Sequence, residues 1–153
     1  MKMFFKILLW SVVVFTLIQF IPVDRTNPPI QPSQNFVNVE QTPQKISEIL
    51  KNSCYDCHSF ETKYPKYAYV APISWSVKHH INEGREHVNF SIWTTYNRNL
   101  KKNIMEKAIL TIEDGKMPMP GYVAQHPEAR LSEAERKILI NYFEVVLKKT
   151  FKN

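Results

Sequence analysis

From Ile7 to Val23 the chain carries no charge, and only Ser11, Thr16 and Gln19 interrupt an otherwise apolar run. At about 1.5 Å rise per residue, about 17 to 20 helical residues cross a hydrocarbon core, so this run reads as a transmembrane helix. Lys2 and Lys6 ahead of it predict a cytoplasmic N-terminus, with everything after Pro22 exported. No small residues mark a cleavage point, which favours a retained anchor over a cleaved signal. Polar positions then take over: "PVDRTNPPIQPSQNFVNVEQ" is rich in Pro, Asn and Gln and reads as a tether. The chain thus divides into an anchor or signal at 1–23, a tether at 24–41 and a folded domain at 42–149, placed by the single-pass anchor on the periplasmic side of the cytoplasmic membrane.

Within the domain the apolar spacing is helical. "TPQKISEILKN" sets Thr42 as a cap and Pro43 at the first helical position, with Ile46, Ile49 and Leu50 on one face. "ISWSVKHHINEGREHV" (73–88) is helical until Gly84, with Ile73, Val77, His80 and Ile81 together. "NRNLKKNIMEKAILTIEDG" (97–115) repeats Leu100, Ile104, Ala108 and Ile112 and stops at Gly115. "LSEAERKILINYFEVVLKK" (131–149) opens with a Ser132–Glu135 capping box and carries its stripe through Leu147. Proline-broken stretches at 61–72 and 116–130 read as ordered loops. With no strand pattern anywhere, the domain is expected to be all-α, about four helices joined by long ordered loops.

Composition narrows the partners. Twenty basic against fourteen acidic residues give a net charge of +6, which suits an acidic protein partner or an anionic membrane. No basic block interleaves with aromatics and no nucleic-acid motif occurs, so nucleic acid is not an expected partner.

The only two cysteines lie in "NSCYDCH", three residues apart, with a histidine directly behind the second. A redox dithiol of the thioredoxin kind would follow a strand, and here the motif follows a helix. Zinc would need two further ligands, and the other histidines, at 79, 80, 87 and 126, form no spaced pair. Covalent haem uses every residue: Cys54 and Cys57 sit one turn apart to add across the two vinyl groups, and His58 projects toward the iron as axial ligand. One haem c per chain is the expected cofactor. Trp75 and Arg85 are candidate contacts for the haem propionates, with Trp93, Tyr64, Tyr67 and Tyr69 as further neighbours. Ordinary aromatic packing explains these residues equally well. For the second axial position the candidates are Met105, Met117, Met119, His79, His80, His87 and His126.

The motif, the helix before it, the later Met-Pro loop and the last helix are similar to small class I-like c-type cytochromes. More narrowly, "CYDCHSFETKYPKYAYVAPISWSVKHHINEGREHVNFSIW" and "MPMPGYVAQHPEARLSEAERKILINYF" resemble the bacterial haem-binding domain family with a single CxxCH, over about residues 42–148. The resemblance implies that the first and last helices of the domain cross and that haem sits in a crevice between loops. It also implies that Met117, matching the family's Met-Pro step, is the second axial ligand. The carbonyl accepting from His58 is implied to lie in the loop before Pro72. The function expected is single-electron transfer by a membrane-anchored monohaem protein rather than enzymatic catalysis. The alternative is a haem-binding sensor or accessory protein with an open or displaceable distal site. A peroxidase-like reading would need an acid/base pair beside open iron, for which His80 or His126 with Arg85 are the only candidates.

Overall fold

The computed structural model describes residues 1–152, with side chains described through Thr150. These form eight α-helices and four short 3₁₀ turns, with no strand among the described residues. The all-helical expectation therefore holds. In chain order the helices are α1 (Lys2–Ile18), α2 (Phe36–Val39), α3 (Gln44–Ser53), α4 (Tyr55–His58), α5 (Ile73–His87), α6 (Arg98–Glu113), α7 (Pro120–Gln125) and α8 (Glu133–Lys152).

The membrane anchor expected over 1–23 is corrected. Among the described residues no helix is long and apolar enough to cross a membrane. Helix α1 has 17 residues, about 25 Å of rise against about 30 Å of hydrocarbon. Its C-terminal end docks on the domain through Gln19. The Gln19 Nε2 donates to the Ala71 carbonyl at 3.1 Å, and its Oε1 accepts from the Ala71 N–H at 2.9 Å. The single-pass location built on that anchor falls with it.

The tether at 24–41 is also corrected. Asn27 donates to the Thr62 carbonyl at 2.8 Å, Asn35 is buried, and Phe36 is 0% exposed at the centre of the core. The Phe36 ring meets Trp93 edge-on at 5.0 Å and Phe143 at 6.2 Å. One aromatic with partners from two distant elements outweighs the polar composition around it, since burying a phenylalanine is worth about 1.5–3 kcal/mol.

The apolar stripes of α3, α6 and α8 reach the core through Leu50, Ile104, Ile112, Leu139 and Phe143, while Ile73 of α5 and Leu100 of α6 lie exposed. Around Phe36 the core gathers Leu50, Tyr55, Trp93, Met105, Leu139 and Phe143, with α6 packed along α8 and α3 touching α8. The Ser132–Glu135 box forms as expected, Glu135 N–H reaching Ser132 Oγ and Ser132 N–H reaching Glu135 Oε2. Gly115, at φ +69°, ends α6. Thr42 does not cap α3; its hydroxyl pairs with Tyr142 OH at 2.8 Å, and Pro43 takes the cap position. Both proline-rich loops are structured, with a 3₁₀ turn at Lys66–Tyr69 in one and α7 plus a 3₁₀ turn at Pro127–Ala129 in the other.

Candidate functional site

Helix α3 breaks at Cys54, whose backbone leaves helical geometry, and α4 restarts at once as a single turn. The Cys57 and His58 N–H groups both return to the Cys54 carbonyl, at 3.2 and 2.9 Å. Cys54 and Cys57 therefore bracket one turn, with His58 directly behind it, and the Cys54 side chain packs against the hydrophobic core. Between them Tyr55 is buried, stacked on Phe90 at 5.3 Å and donating to Asn35 Oδ1 at 2.9 Å. Ser59 returns its hydroxyl to the Tyr55 carbonyl at 2.7 Å and locks the exit of the turn.

His58 is held from behind by α5. Its Nδ1 lies 2.8 Å from the Gly84 carbonyl oxygen and 3.2 Å from that of Val88. Carbonyl oxygens only accept, so Nδ1 carries the proton and Nε2 keeps a free lone pair. Burial holds the imidazole below its usual pKa, against the opposing pull of those two carbonyls, so the ring is neutral and able to bind a metal. The acceptor is thus the end of α5 and not the loop before Pro72. The sequence pattern placed the stop of α5 at Gly84; the helix instead continues through it to His87. Gly84 is there for space: a Cβ at that position would lie 2.7 Å from the Cys57 carbonyl oxygen.

Both cysteines are free thiols. Burial pushes the Cys54 thiol up to about 12, with Cys57 adding to it, and the Cys57 thiol up to about 11, with Asp56 adding. Among the described residues no group of three or more His, Cys, Asp or Glu side chains gathers around them to complete a zinc site.

Cys57 and Asp56 border a cleft of about 410 Å³, within the usual size of a cofactor site. Its walls come from α5 (Ile73, Val77, His80, Ile81), the loop after the motif (Lys63, Tyr67) and the α7 region (Met119, Tyr122, Gln125). Asp56 ties these together. Its Oδ2 accepts from Tyr122 OH at 2.7 Å, its Oδ1 from the Lys63 N–H at 2.9 Å, and its carbonyl from Thr62 Oγ1 at 2.6 Å.

The residues singled out from sequence are distributed unevenly around this cleft. Met119 lines it, whereas Met117 packs against the hydrophobic core and Met105 is buried within that core. His80 lines it, 3.4 Å from Glu83 through Nδ1; His79 and His87 are exposed. His126 bonds Tyr67 OH at 2.8 Å and Glu128 at 3.1 Å. Neither candidate propionate contact reaches the cleft. Arg85 donates from Nε to the Ser59 carbonyl at 2.8 Å and from Nη2 to Asn27 and Thr62, bracing the loop behind it. Trp75 sits on the opposite side of α5 from Val77, His80 and Ile81 by helical phase, its Nε1 buried without a partner. Trp93 is a core residue donating to Glu40 at 2.9 Å, Tyr64 OH is likewise buried and unpartnered, and Tyr69 lies exposed under Arg25 at 4.2 Å.

Sequence reasoning missed Asp56, Tyr122 and Gly84. Asp56 lies inside the motif and is the only carboxylate there. Gly84 is one of only three glycines and interrupts a helical pattern, a signal that points to close packing as readily as to a helix end.

Two thiols bracketing one turn and an imidazole with its metal-binding nitrogen free suit haem in their chemistry, and of the three Cys57 is the one that lines the cleft. The family model for the haem-binding domain matches residues 13–145. No curated protein matches the chain, and neither does any solved structure.

Proposed function

The chain belongs to the haem-binding domain family, and from that premise we propose that it carries single electrons on one covalently attached haem. Haem is its cofactor. Cys54 and Cys57 would supply the two thioether bonds and His58 Nε2 the axial bond to iron. Bound haem supplies a one-electron iron couple. The protein would position it through the two carbonyls that fix the His58 ring, the Asp56–Tyr122 bond that holds α7 against the turn, and the apolar cleft wall of Val77 and Ile81. Of the two loop methionines, Met119 is the one at the cleft, which supports it over Met117 as a second axial donor. The net charge of +6 supports an acidic redox partner, with docking rate more than affinity set by that complementarity. We read the chain as a carrier and not as an enzyme.

The observation that carries this reading is the pinned tautomer of His58 directly beside two free thiols. Expression together with haem-attachment machinery, followed by acid–acetone extraction and a pyridine haemochrome assay, tests it. One haem that stays with each polypeptide, low-spin in both oxidation states, is the expected result. A colourless chain overturns it. Colour with rapid CO binding to the reduced form, unchanged in Met119→Ala, would favour the sensor or accessory reading instead.

A further inference from the structure

None of residues 118–128, the stretch that contains α7, is buried. Both of its ends are fixed. Met117 before it packs against the hydrophobic core, and its N–H returns to the Thr111 carbonyl at 3.1 Å. Ala129 after it is 0% exposed, in a 3₁₀ turn that touches α3. Among the described residues two side-chain hydrogen bonds tie the stretch to the facing wall. Tyr122 OH donates to Asp56 Oδ2 at 2.7 Å, and His126 Nε2 pairs with Tyr67 OH at 2.8 Å. The Tyr122 and His126 rings stack at 4.5 Å, so the two ties are joined.

Behind this stretch lies Cys57, half-buried, in the cleft that Met119, Gly121, Tyr122 and Gln125 wall from outside. The opposite wall cannot give way. Helix α5 buries Ser74, Ile81 and Gly84, and its backbone at Gly84 leaves no room for even a methyl group before the Cys57 carbonyl. A segment with no buried residue and few hydrogen bonds is the part of a fold that opens first.

We propose that α7 is a latched lid over Cys57: residues 118–128 swing off the cleft about Met117 and Ala129 when the Tyr122–Asp56 and His126–Tyr67 bonds break, and α5 stays in place. This deepens the haem reading above, because Cys57 is the attachment residue that the cleft presents. A macrocycle as wide as porphyrin meets a half-buried thiol only once that wall draws back. Asp56 receives the latch from its place between the two cysteines. The turn that would carry the porphyrin thus also carries the group that closes the way to it.

The test is alkylation of the reduced, haem-free full chain by a bulky maleimide, with Cys54 and Cys57 resolved by peptide fragmentation, alongside hydrogen exchange of α5 and α7. Removing one neutral hydrogen bond favours opening by roughly fivefold. Tyr122→Phe and Tyr67→Phe, which keep the ring and lose only the hydroxyl, should each speed Cys57 modification by that factor. The double variant should speed it by their product. Cys54, packed against the core, should keep its parent rate, and exchange should rise in α7 and not in α5. A purely structural role for the two phenols would instead speed both thiols and α5 exchange together, through unfolding of the whole chain. Equal acceleration of the two thiols, or a Cys57 rate that ignores both variants, overturns the lid. Haem uptake by the parent chain is read separately. A Cys57 rate that follows the lid in a chain that takes up no haem overturns the functional reading and leaves the lid standing.

Discussion

On one side of the Cys54–His58 turn, Gly84 admits α5 so closely that a methyl group would collide with the Cys57 carbonyl, and two carbonyls fix the imidazole. On the other side, Cys57 and Asp56 face a cleft walled by tyrosines, a histidine and a methionine. The packed side has one geometry and no room for another. The cleft side is held by individual hydrogen bonds from a six-residue helix and can be altered one bond at a time. The proposed attachment residues thus rest on the part of the fold that cannot shift, and the surroundings that would tune them rest on the part that can.

The sharpest way to break that contrast is Gly84→Ala. The obstructing atoms are backbone and cannot rotate away, so we expect a loss of about 3 kcal/mol in urea denaturation, the upper part of the range for overpacking. Little or no loss would mean that the packed side can give. Thiol reactivity reports on the same side. With Cys57 and Cys54 raised to about 11 and 12 against an ordinary value near 8.5, alkylation of the haem-free chain at pH 8 should be slower than after unfolding by at least on the order of a hundredfold. Equal rates would show that the turn stands open.

Arg85 joins the two sides, since it braces Ser59 and Thr62 behind the cleft. Arg85→Ala should cost about 2 kcal/mol by denaturant titration, and Arg85→Lys should not restore it because a point charge cannot reproduce three directed bonds. The smallest effect belongs to the cleft side. Tyr122→Phe should cost about 1 kcal/mol at neutral pH and raise hydrogen exchange in α7 while leaving α5 unchanged. Burial and the Asp56 carboxylate raise the Tyr122 pKa, so its phenol stays protonated in the folded chain. The stability this contributes is complete below the unfolded value of about 10 and is lost as pH rises above it. Denaturation midpoints measured at neutral and strongly alkaline pH should therefore separate less in Tyr122→Phe than in the parent.

What could be read in the sequence was whatever depends on neighbours a few residues away. The CxxCH spacing, the stripes of α3, α6 and α8, the Ser132–Glu135 box and the stop at Gly115 are all local. What could not be read depends on partners far along the chain. Phe36 lies in a segment whose composition argues for a tether, yet its partners are Trp93 and Phe143. Asp56 meets a hydroxyl 66 residues away. Gly84 looks like punctuation because the backbone it must clear, at Cys57, is 27 positions earlier. The apolar run at the start misleads for the converse reason: hydropathy sets its length at Val23, whereas the helix ends at Ile18 and Gln19 pairs with the distant Ala71 backbone. Arg85 and Trp75 stand out in the sequence for their donors, and the direction in which a donor points is not written in its identity.

Helix α5 ends at His87, and the carbonyls that receive the His58 N–H belong to its final turn and the residue after it. A helix concentrates roughly half a unit of negative charge at that pole. The imidazole is therefore pushed from behind by an electron-rich terminus, and its far nitrogen becomes the stronger donor for it. A backing of that sign favours the higher charge on any cation held there, so the pitch and ending of a helix would set part of the oxidation preference of a metal that its own side chains need not touch.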